Sequence, residues 1–325
     1  MELTDILGAL ADGEFHSGEE LGAKLGVSRT AIWKQLQKLD EIGLRVDSVK
    51  GKGYRLPGGY APLDAREIQK VLSGKSAGLL AELIVEQQIT STSSYLSDLA
   101  RVSPRSGVVC VAEQQTAGRG RLGRTWVSPY GRNLMFSVLW EFDGGAAALE
   151  GLSLAVGVAV AQALSGVGLD DIALKWPNDI LHGGSKLAGI LLEMQGDAAG
   201  RCQVIIGIGL NVNLPDDAPI DQAWTDLTRA ACPELDRNKL LGAILDRLLP
   251  LLQTFSSSGF VAFQEDWESF DAFNGAPATV RRGDVATEGI CRGVASNGAL
   301  QFETANGLEY ISGGEVSLRP LVDGR

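Results

Sequence analysis

A glycine- and arginine-rich stretch carries the most concentrated set of anion-binding groups in the sequence. It reads Gly118-Arg119-Gly120-Arg121-Leu122-Gly123, and Arg124 and Arg132 follow it. Glycines let backbone amides approach an anion, and guanidinium groups donate forked hydrogen bonds to phosphate or carboxylate. The stretch predicts a flexible basic loop that closes over a charged intermediate. A glycine-rich surface loop with solvated arginines is the alternative.

The same stretch matches the GxGxxG pattern of dinucleotide-binding proteins, but its surroundings do not. That pattern needs a helix to begin at the loop, because the pyrophosphate lies on the amino end of the helix. Here Arg124-Thr125-Trp126-Val127-Ser128-Pro129 follows, and then a predicted strand at Asn133–Phe142. No helix can begin across that sequence, which excludes the dinucleotide turn.

Two lysines are the other candidates for chemistry. Lys175 and Lys186 both precede apolar runs, and a lysine that enters a buried strand needs an anionic partner. Strand-edge charges are the alternative. The two histidines, and the four cysteines without CxxC spacing, exclude a His-rich metal site, a zinc site and a thioredoxin-like motif. We expect no protein-bound metal site, and we expect the thiols to be buried and reduced.

The elements that must position these groups alternate between helix and strand over 65–272. Two consecutive strand-rich runs are joined by short loops, which indicates an antiparallel or mixed sheet in an α+β domain. Predicted strands are Leu83–Glu86, Gly107–Ala112, Asn133–Phe142, Ile172–Lys175, Lys186–Met194 and Cys202–Leu210. Predicted helices are Ala65–Leu72, Thr92–Arg101, Ala148–Leu164, Asn238–Thr254 and Val261–Phe270.

The character of the sequence changes near both ends. In 273–325, Asn297-Gly298 and Asn306-Gly307 each separate two apolar runs, which predicts type I′ hairpins in a small SH3-like β-barrel. At the other end, 1–56 reads as two short helices, a strand, a Gly51-Lys52-Gly53 turn and a second strand. This order is typical of a winged helix-turn-helix. Residues 57–64 form a Pro/Gly-rich linker.

Local charge in the first region favours DNA as its partner. The chain has 325 residues and a net charge of −11, which excludes a general polyanion binder, yet Lys24–Arg55 contains eight basic residues and three acidic ones. Phosphate contacts need such a concentration. A winged-helix protein-interaction domain with solvated charges is the alternative. The candidate DNA-binding residues are Ser28, Arg29, Thr30, Lys34, Gln37, Lys50 and Lys52.

Two further patterns bear on location. The opening residues include Glu2 and Asp5 and lack a basic start followed by a long apolar run, so we expect no secretory signal. The uncharged stretch 151–168 is diluted by glycine, serine and glutamine, so a buried core helix is favoured over a membrane span. We expect a cytoplasmic protein without a membrane partner.

Five ordered motifs, together with the winged helix in front, resemble the bifunctional biotin protein ligase and biotin-operon repressor family over nearly the full length. The motifs are Ser91-Thr92-Ser93 with Gln115, the Gly118–Arg124 stretch, Lys175-Trp176-Pro177-Asn178-Asp179, Lys186-Leu187-Ala188-Gly189-Ile190-Leu191 and Gly207-Ile208-Gly209-Leu210-Asn211-Val212-Asn213. One position departs from the family pattern: Ser93 stands where the family has Asn.

The resemblance implies roles for particular residues. Arg119, Arg121 and Lys186 would be the catalytic residues. Biotin would be bound by Ser91, Thr92, Ser93, Gln115, Arg119, Gly120, Arg121 and Lys186, and the nucleotide by Trp126, Lys175, Asn178 and Asn211. Asp179 would act on the metal-nucleotide side or orient a lysine. Trp126 as a core residue and Asn211 as a turn residue are the alternatives.

The resemblance also implies the reaction. ATP, with Mg²⁺, would activate biotin as biotinyl-5′-AMP, and the biotinyl group would pass to a lysine of the biotin carboxyl carrier protein of acetyl-CoA carboxylase. The adenylate-bound homodimer would bind operator DNA and repress biotin biosynthesis genes. Two alternatives remain: a ligand-sensing transcription factor with decayed ligase activity, and a lipoate-type ligase.

Overall fold

The computed structural model describes residues 3–197, 199–230, 235–313 and 316–321. The first region consists of α1 (Leu3–Ala9), α2 (Gly18–Leu25), α3 (Arg29–Glu41) and a two-stranded wing, β1 (Asp47–Val49) and β2 (Gly53–Arg55). Ser17 and Glu20 form a capping box at the start of α2, and the Ser28 hydroxyl caps α3. Helix α1 was not predicted, although Ile6, Leu7 and Ala9 bury one face of it.

A seven-stranded mixed sheet organises the central region, as predicted. In sheet order β3-β4-β5-β9-β8-β7-β6, β3 and β4 are parallel and all other pairs are antiparallel. Strand β7 lies in a segment for which no strand was predicted. The strands are β3 (Glu82–Ile89), β4 (Val108–Gln115), β5 (Asn133–Phe142), β6 (Ile172–Lys175), β7 (Asp179–His182), β8 (Ser185–Gly196) and β9 (Cys202–Asn211).

The helices cover both faces of this sheet. Val108 and Cys110 of β4 pack with Leu96 of α6, whereas Val109 and Val111 belong to the larger core beneath α7 and α8. Helix α5 was not predicted, and the predicted helix 261–270 is a 3₁₀ turn at Phe260–Phe263 followed by α9. The helices are α4 (Ala65–Gln69), α5 (Gly74–Leu79), α6 (Thr92–Val102), α7 (Leu152–Gly166), α8 (Arg237–Ser258) and α9 (Gln264–Ser269).

Helix α7 belongs to the most apolar segment of the described chain. By length and composition alone, Gly145–Gly166 would be able to cross a membrane. In this fold most of α7 is buried, with Val156, Val158 and Val160 in the same core as Leu245 of α8. The predicted core helix is confirmed.

The carboxy-terminal region is a five-stranded antiparallel sheet in the order β13-β12-β11-β10-β14. Two of its hairpins, those at Asn297-Gly298 and Asn306-Gly307, were predicted, but the predicted turn type is wrong. A type I′ turn has positive φ at both central residues, whereas φ is positive at Gly298 and Gly307 and not at Asn297 or Asn306. The strands are β10 (Pro277–Arg282), β11 (Val285–Val294), β12 (Leu300–Thr304), β13 (Gly307–Ile311) and β14 (Val316–Pro320).

A buried ion pair fastens the segment between the winged helix and the sheet. Arg237 Nη1 donates to Glu113 Oε2 over 2.7 Å, and Arg237 Nη2 donates to the carbonyl of Ala61 over 2.7 Å. The amide of Leu63 donates to the other oxygen of Glu113 over 2.7 Å. Tyr130 lies just before the start of β5, and its side chain is buried among the amino-terminal helices. The winged helix is therefore packed against the central region.

Candidate active site and candidate DNA-binding face

A cavity of about 340 Å³ lies on the α6 side of the central sheet. Four parts of the chain form its walls: the strands of the sheet with the amino end of α6, the loop at 118–127, the segment 219–224, and strand β14 of the carboxy-terminal sheet. All of the predicted catalytic, biotin-binding and nucleotide-binding residues line it: Ser91, Thr92, Ser93, Gln115, Arg119, Gly120, Arg121, Trp126, Lys175, Asn178, Lys186 and Asn211.

Three glycines make the floor of the cavity concave. Gly189, Gly207 and Gly209 lie on neighbouring strands β8 and β9. A Cβ atom at Gly209 would lie 2.4 Å from the Trp126 ring, and one at Gly207 would lie 2.8 Å from Ser93 Oγ. The floor must therefore be free of side chains for Trp126 and Ser93 to occupy their positions.

One end of the cavity is built from hydroxyl and amide groups. The backbone amide of Thr92 donates to Gln115 Oε1 over 2.7 Å, and Thr92 Oγ1 donates to the same oxygen over 3.0 Å. Ser137 Oγ lies 2.8 Å from Thr92 Oγ1 and 2.9 Å from Ser93 Oγ. Ser91 caps α6 through its hydroxyl. These polar groups are buried and interlinked, which fixes their directions before any ligand arrives.

A carboxylate held by two lysines lies in another part of the cavity wall. Lys186 Nζ is 2.6 Å from Asp179 Oδ1, and Lys175 Nζ is 3.6 Å from Asp179 Oδ2. Burial lowers the pKa of Lys175, and the neighbouring Asp179 opposes that effect. The anionic partner predicted for both lysines is thus Asp179. Two ammonium groups on one carboxylate leave a net positive charge for an anionic ligand.

The arginines of the loop have different partners. Arg121 Nη1 donates to Asn178 Oδ1 over 2.8 Å, and its Nη2 donates to the carbonyl of Val316 over 3.2 Å. Arg121 thereby joins the loop to the β6–β7 turn and to the carboxy-terminal sheet, and burial lowers its pKa. Arg119 instead donates to both carboxylate oxygens of Glu193, over 2.9 and 3.1 Å, in a half-exposed pair.

The loop also has an internal hydrogen-bond pattern. The amide of Gly120 donates to the carbonyl of Arg124 over 2.7 Å, and the amide of Trp126 donates to the carbonyl of Gly118 over 2.9 Å. Leu122 at the tip has a φ of 57°, a left-handed conformation that is rare for leucine. The loop is folded, and Leu122 carries its backbone strain.

Two predicted nucleotide contacts have partners within the protein. Asn178 Nδ2 donates to the carbonyl of Ile190 over 2.8 Å, in addition to the contact with Arg121. Asn211 Nδ2 donates to the carbonyl of Thr225 over 3.0 Å. For Trp126 Nε1, which is buried, the described residues provide no hydrogen-bond acceptor, so Trp126 offers an unused donor at the cavity wall.

Besides the segment 219–224, sequence reasoning missed two groups of lining residues. Ser137 occupies a buried position in the apolar strand β5, and a polar residue in such a strand is the signal that was available. The other group, Val316, Ser317, Leu318 and Arg319, comes from β14. No motif marks this second group, because its place in the site depends on how two distant regions pack.

Carboxylates are few among the residues that line the cavity. Among the described residues no group of three or more His, Cys, Asp or Glu side chains is arranged to hold a metal ion. Asp179 and Asp221 are the carboxylates that line the cavity, and Asp179 is occupied by lysines. Of the four cysteines, Cys110, Cys202 and Cys291 are free and buried, and Cys232 lies outside the described residues.

The predicted DNA-binding residues share one exposed surface. Ile32, Leu36 and Leu39 face the core of the first region, while Arg29, Thr30, Lys34 and Gln37 of α3 are exposed, as are Ser28, Lys50 and Lys52. Trp33, which was not predicted, is 50% exposed within the same stripe of α3. This exposed basic stripe is the candidate DNA-binding face.

The fold and the cavity define a class of protein: a winged helix-turn-helix joined to a ligase domain whose basic cavity can bind a carboxylate and a phosphate. Family models agree with this, matching an HTH domain at residues 2–55, the biotin/lipoate A/B protein ligase family at 85–211 and a biotin protein ligase carboxy-terminal domain at 275–319.

Curated relatives narrow the class. The bifunctional ligase/repressor BirA of Escherichia coli is 40% identical over 97% of this chain and 96% of its own length, and that of Bacillus subtilis is 34% identical over 95% of each. The chain belongs to the biotin protein ligase family, in its bifunctional ligase/repressor form. A solved biotin protein ligase from Aquifex aeolicus, in complex with biotin and ATP, covers 74% of this chain and 100% of its own, with 31% identity and a TM-score of 0.64.

Proposed function

We propose that this protein is an ATP-dependent biotin protein ligase and an adenylate-dependent transcriptional repressor of biotin biosynthesis genes. One observation carries the ligase half. A single cavity combines a preformed hydroxyl and amide group cluster around Gln115 with the Lys186–Asp179–Lys175 charge cluster. The first suits the polar ring of biotin, and the second suits carboxylate and phosphate.

In the first step the biotin carboxylate attacks the α-phosphorus of ATP, and pyrophosphate leaves. This step needs no protein nucleophile, only positioning and stabilisation of the spreading negative charge. Lys186 would hold the reacting oxygens, and the loop residues Arg119, Gly120 and Arg121 would close over the carboxylate and the adenylate. For Arg119 this role requires release of Glu193, which its half-exposed position allows.

The remaining lining residues divide between the two substrates. Ser91, Thr92, Ser93 and Gln115 would hold the ring of biotin. Trp126 would pack against adenine, with Lys175, Asn178 and Asn211 on the nucleotide side; the two asparagines would act mainly by fixing Arg121 and the 225 segment. Mg²⁺ would enter with the triphosphate and neutralise part of its charge.

In the second step a lysine of the biotin carboxyl carrier protein attacks the acyl carbon of biotinyl-5′-AMP, and AMP leaves. Leu122 and Arg119 of the 118–127 loop are both exposed and line the cavity, so we infer that a carrier lysine reaches the adenylate beside this loop. We infer that the carrier domain of acetyl-CoA carboxylase is the protein substrate, and that the enzyme acts in the cytoplasm without a membrane partner.

The repressor half rests on the exposed basic face of α3 and the wing. One such module offers few phosphate contacts, so two modules related by a twofold axis would bind two half-sites together. We infer that the adenylate-bound protein is a homodimer, and that contacts of the adenylate with the 118–127 loop favour its formation.

Incubation with ATP, Mg²⁺, biotin and a carrier domain tests the ligase half directly. We expect a mass increase of one biotinyl group on one carrier lysine, and release of pyrophosphate and AMP. Lipoate in place of biotin should give no product. Biotin binding without pyrophosphate release would instead support a ligand-sensing transcription factor, and lipoyl transfer would support the lipoate-type ligase.

A further inference from the structure

The hydroxyl groups at the polar end of the cavity form a chain that reaches beyond the motif residues. The chain runs from Ser93 through Ser137 and Thr92 to Gln115, and the three hydroxyl-bearing residues are each buried. Ser137 lies on strand β5, outside every motif that the sequence carries.

The direction of this chain is fixed at its Gln115 end. Because the backbone amide of Thr92 can only donate, the side-chain atom of Gln115 that it meets must be the oxygen. That oxygen cannot donate, so the Thr92 hydroxyl must donate its one proton to it. The assignment therefore does not depend on the side-chain amide orientation alone.

The remaining protons follow from the first. With its proton committed to Gln115, Thr92 Oγ1 can only accept from Ser137, and Ser137 Oγ can then only accept from Ser93. All four contacts can be hydrogen bonds at once in this one direction. The Ser93 hydroxyl directs its one proton at Ser137, so toward the cavity it can only accept a hydrogen bond. The Nε2 group of Gln115 takes part in none of these contacts, so it can donate to a ligand.

We infer that Ser93 and Ser137 are specificity-determining residues, which make the polar end of the cavity select a ring that carries an N–H group. A cyclic urea has N–H donors for Ser93 Oγ and a carbonyl for the Gln115 amide. A ring that presents an oxygen instead of that N–H would set lone pairs against lone pairs. Ser137 is a positioning residue, since it acts by holding the proton of Ser93.

Gly207 leaves the space that the Ser93 and Ser137 hydroxyl groups need. A Cβ atom there would lie 2.8 Å from Ser93 Oγ and 3.7 Å from Ser137 Oγ. The hydroxyl pair thus occupies space directly above the floor, where the ring of a ligand must lie. This inference rests on the proposed function, because it assigns the group on biotin that these residues recognise.

The test measures dissociation constants for biotin and for its two isomeric cyclic carbamates, in each of which one ring N–H is replaced by oxygen. The wild-type protein should bind biotin at least about 10-fold more tightly than one of the two isomers, since a buried acceptor then loses its donor. In Ser93→Ala this ratio should fall to within about 3-fold, because the acceptor is gone.

Ser137→Ala separates this account from a merely structural role. Without Ser137, the Ser93 hydroxyl is free to turn its proton toward the ring oxygen, so the carbamate should bind more tightly than it binds to wild type. Ser153→Ala is the matched control, since it removes a buried serine hydroxyl on α7, outside the cavity lining, for which no partner exists among the described residues. Its ratio should equal that of wild type.

The outcomes are distinguishable. Absence of biotin binding by the wild-type protein would remove the proposed function itself. Biotin binding with ratios that are the same in wild type, Ser93→Ala and Ser137→Ala, for both isomers, would overturn the inference and leave the ligase intact.

Discussion

The ligand cavity and the exposed face of α3 hold their charged side chains in opposite ways. In the cavity, Lys186 and Lys175 share Asp179 at low exposure, and half-buried Arg121 is held by Asn178. On α3, Arg29 and Lys34 are exposed to solvent. The cavity is organised before its ligand arrives, whereas we propose that the helix face obtains its partner charges from DNA.

This difference predicts two kinds of mutational effect. Removing a group from the cavity leaves a buried partner uncompensated, so each loss should be large and weakly dependent on salt. Removing a cation from the helix face costs one phosphate contact among several, and that loss should depend on salt.

The largest effect is expected for Lys186→Ala. Loss of one preformed donor beside developing phosphate charge costs roughly 3–4 kcal/mol, which is a hundred- to thousand-fold in rate. Biotin-dependent exchange of pyrophosphate into ATP would measure it. Lys70→Ala, which removes an exposed lysine on the surface near α4, should be unaffected. A near wild-type rate for Lys186→Ala, with an unchanged circular dichroism spectrum, would remove Lys186 from the reaction.

Asp271 contrasts with Asp179, because Asp179 is held by two lysines and the described residues give Asp271 no ion pair. Burial raises the pKa of Asp271 to about 6, and the described residues provide no partner for its Oδ2 atom. Because the folded pKa exceeds the unfolded one of about 3.9, the folded state binds the extra proton between these pH values. The stabilisation is therefore present at low pH and is lost as the pH rises through about 6.

Asp271→Asn should remove that pH dependence. Relative to wild type, the variant should gain about 1–2 kcal/mol in free energy of unfolding between pH 4.5 and pH 7.5. Urea denaturation at both pH values gives the difference. A parallel pH dependence in the two proteins would show that Asp271 ionises normally.

A smaller effect is expected for Lys34→Ala on the helix face. Affinity for specific DNA should fall several-fold at moderate salt, and the slope of log K against log salt should become shallower by about one. Lys75→Ala removes an equal charge from exposed α5 and serves as the control. An unchanged salt slope in Lys34→Ala would show that Lys34 does not contact the DNA phosphates.

The smallest effect belongs to an exposed pair between the two regions. Arg45 Nη2 lies 2.6 Å from Asp217 Oδ2, with both side chains largely exposed. Such pairs contribute about 0–1 kcal/mol, so Arg45→Ala should change the free energy of unfolding by less than about 0.5 kcal/mol. A double-mutant cycle with Asp217→Ala measures it, and a coupling well above 1 kcal/mol would contradict the account.

The sequence predicted the elements whose signals are local and long. Strand β5 has the predicted bounds, Asn133–Phe142, because this mostly apolar run lies between the charged residues Arg132 and Asp143. Helix α5 and strand β7 are short, and their apolar patterns are too brief to predict them. Strand β7 is instead set by pairing with β6 and β8.

The site divides in the same way. The motif residues are predictable because their types state their chemistry: glycines give an anion access to the backbone, arginines donate forked hydrogen bonds, and a lysine in a buried strand needs an anionic partner. The contact of Arg121 with the carbonyl of Val316 spans 195 positions, and nothing local in the sequence specifies it. The pairing of Arg119 with Glu193 was missed for the same reason.

Linkage between the cavity and the helix face is the central claim, and one titration tests it most directly. Labelled DNA from upstream of the protein's own gene and of biotin-synthesis genes is titrated with protein, with and without biotin plus ATP. We predict 5- to 150-fold tighter binding with both ligands, a range typical of coupled sites, and no gain for Lys186→Ala. Equal affinity in the two conditions would contradict the account, and would leave a ligase whose winged helix does not respond to the adenylate.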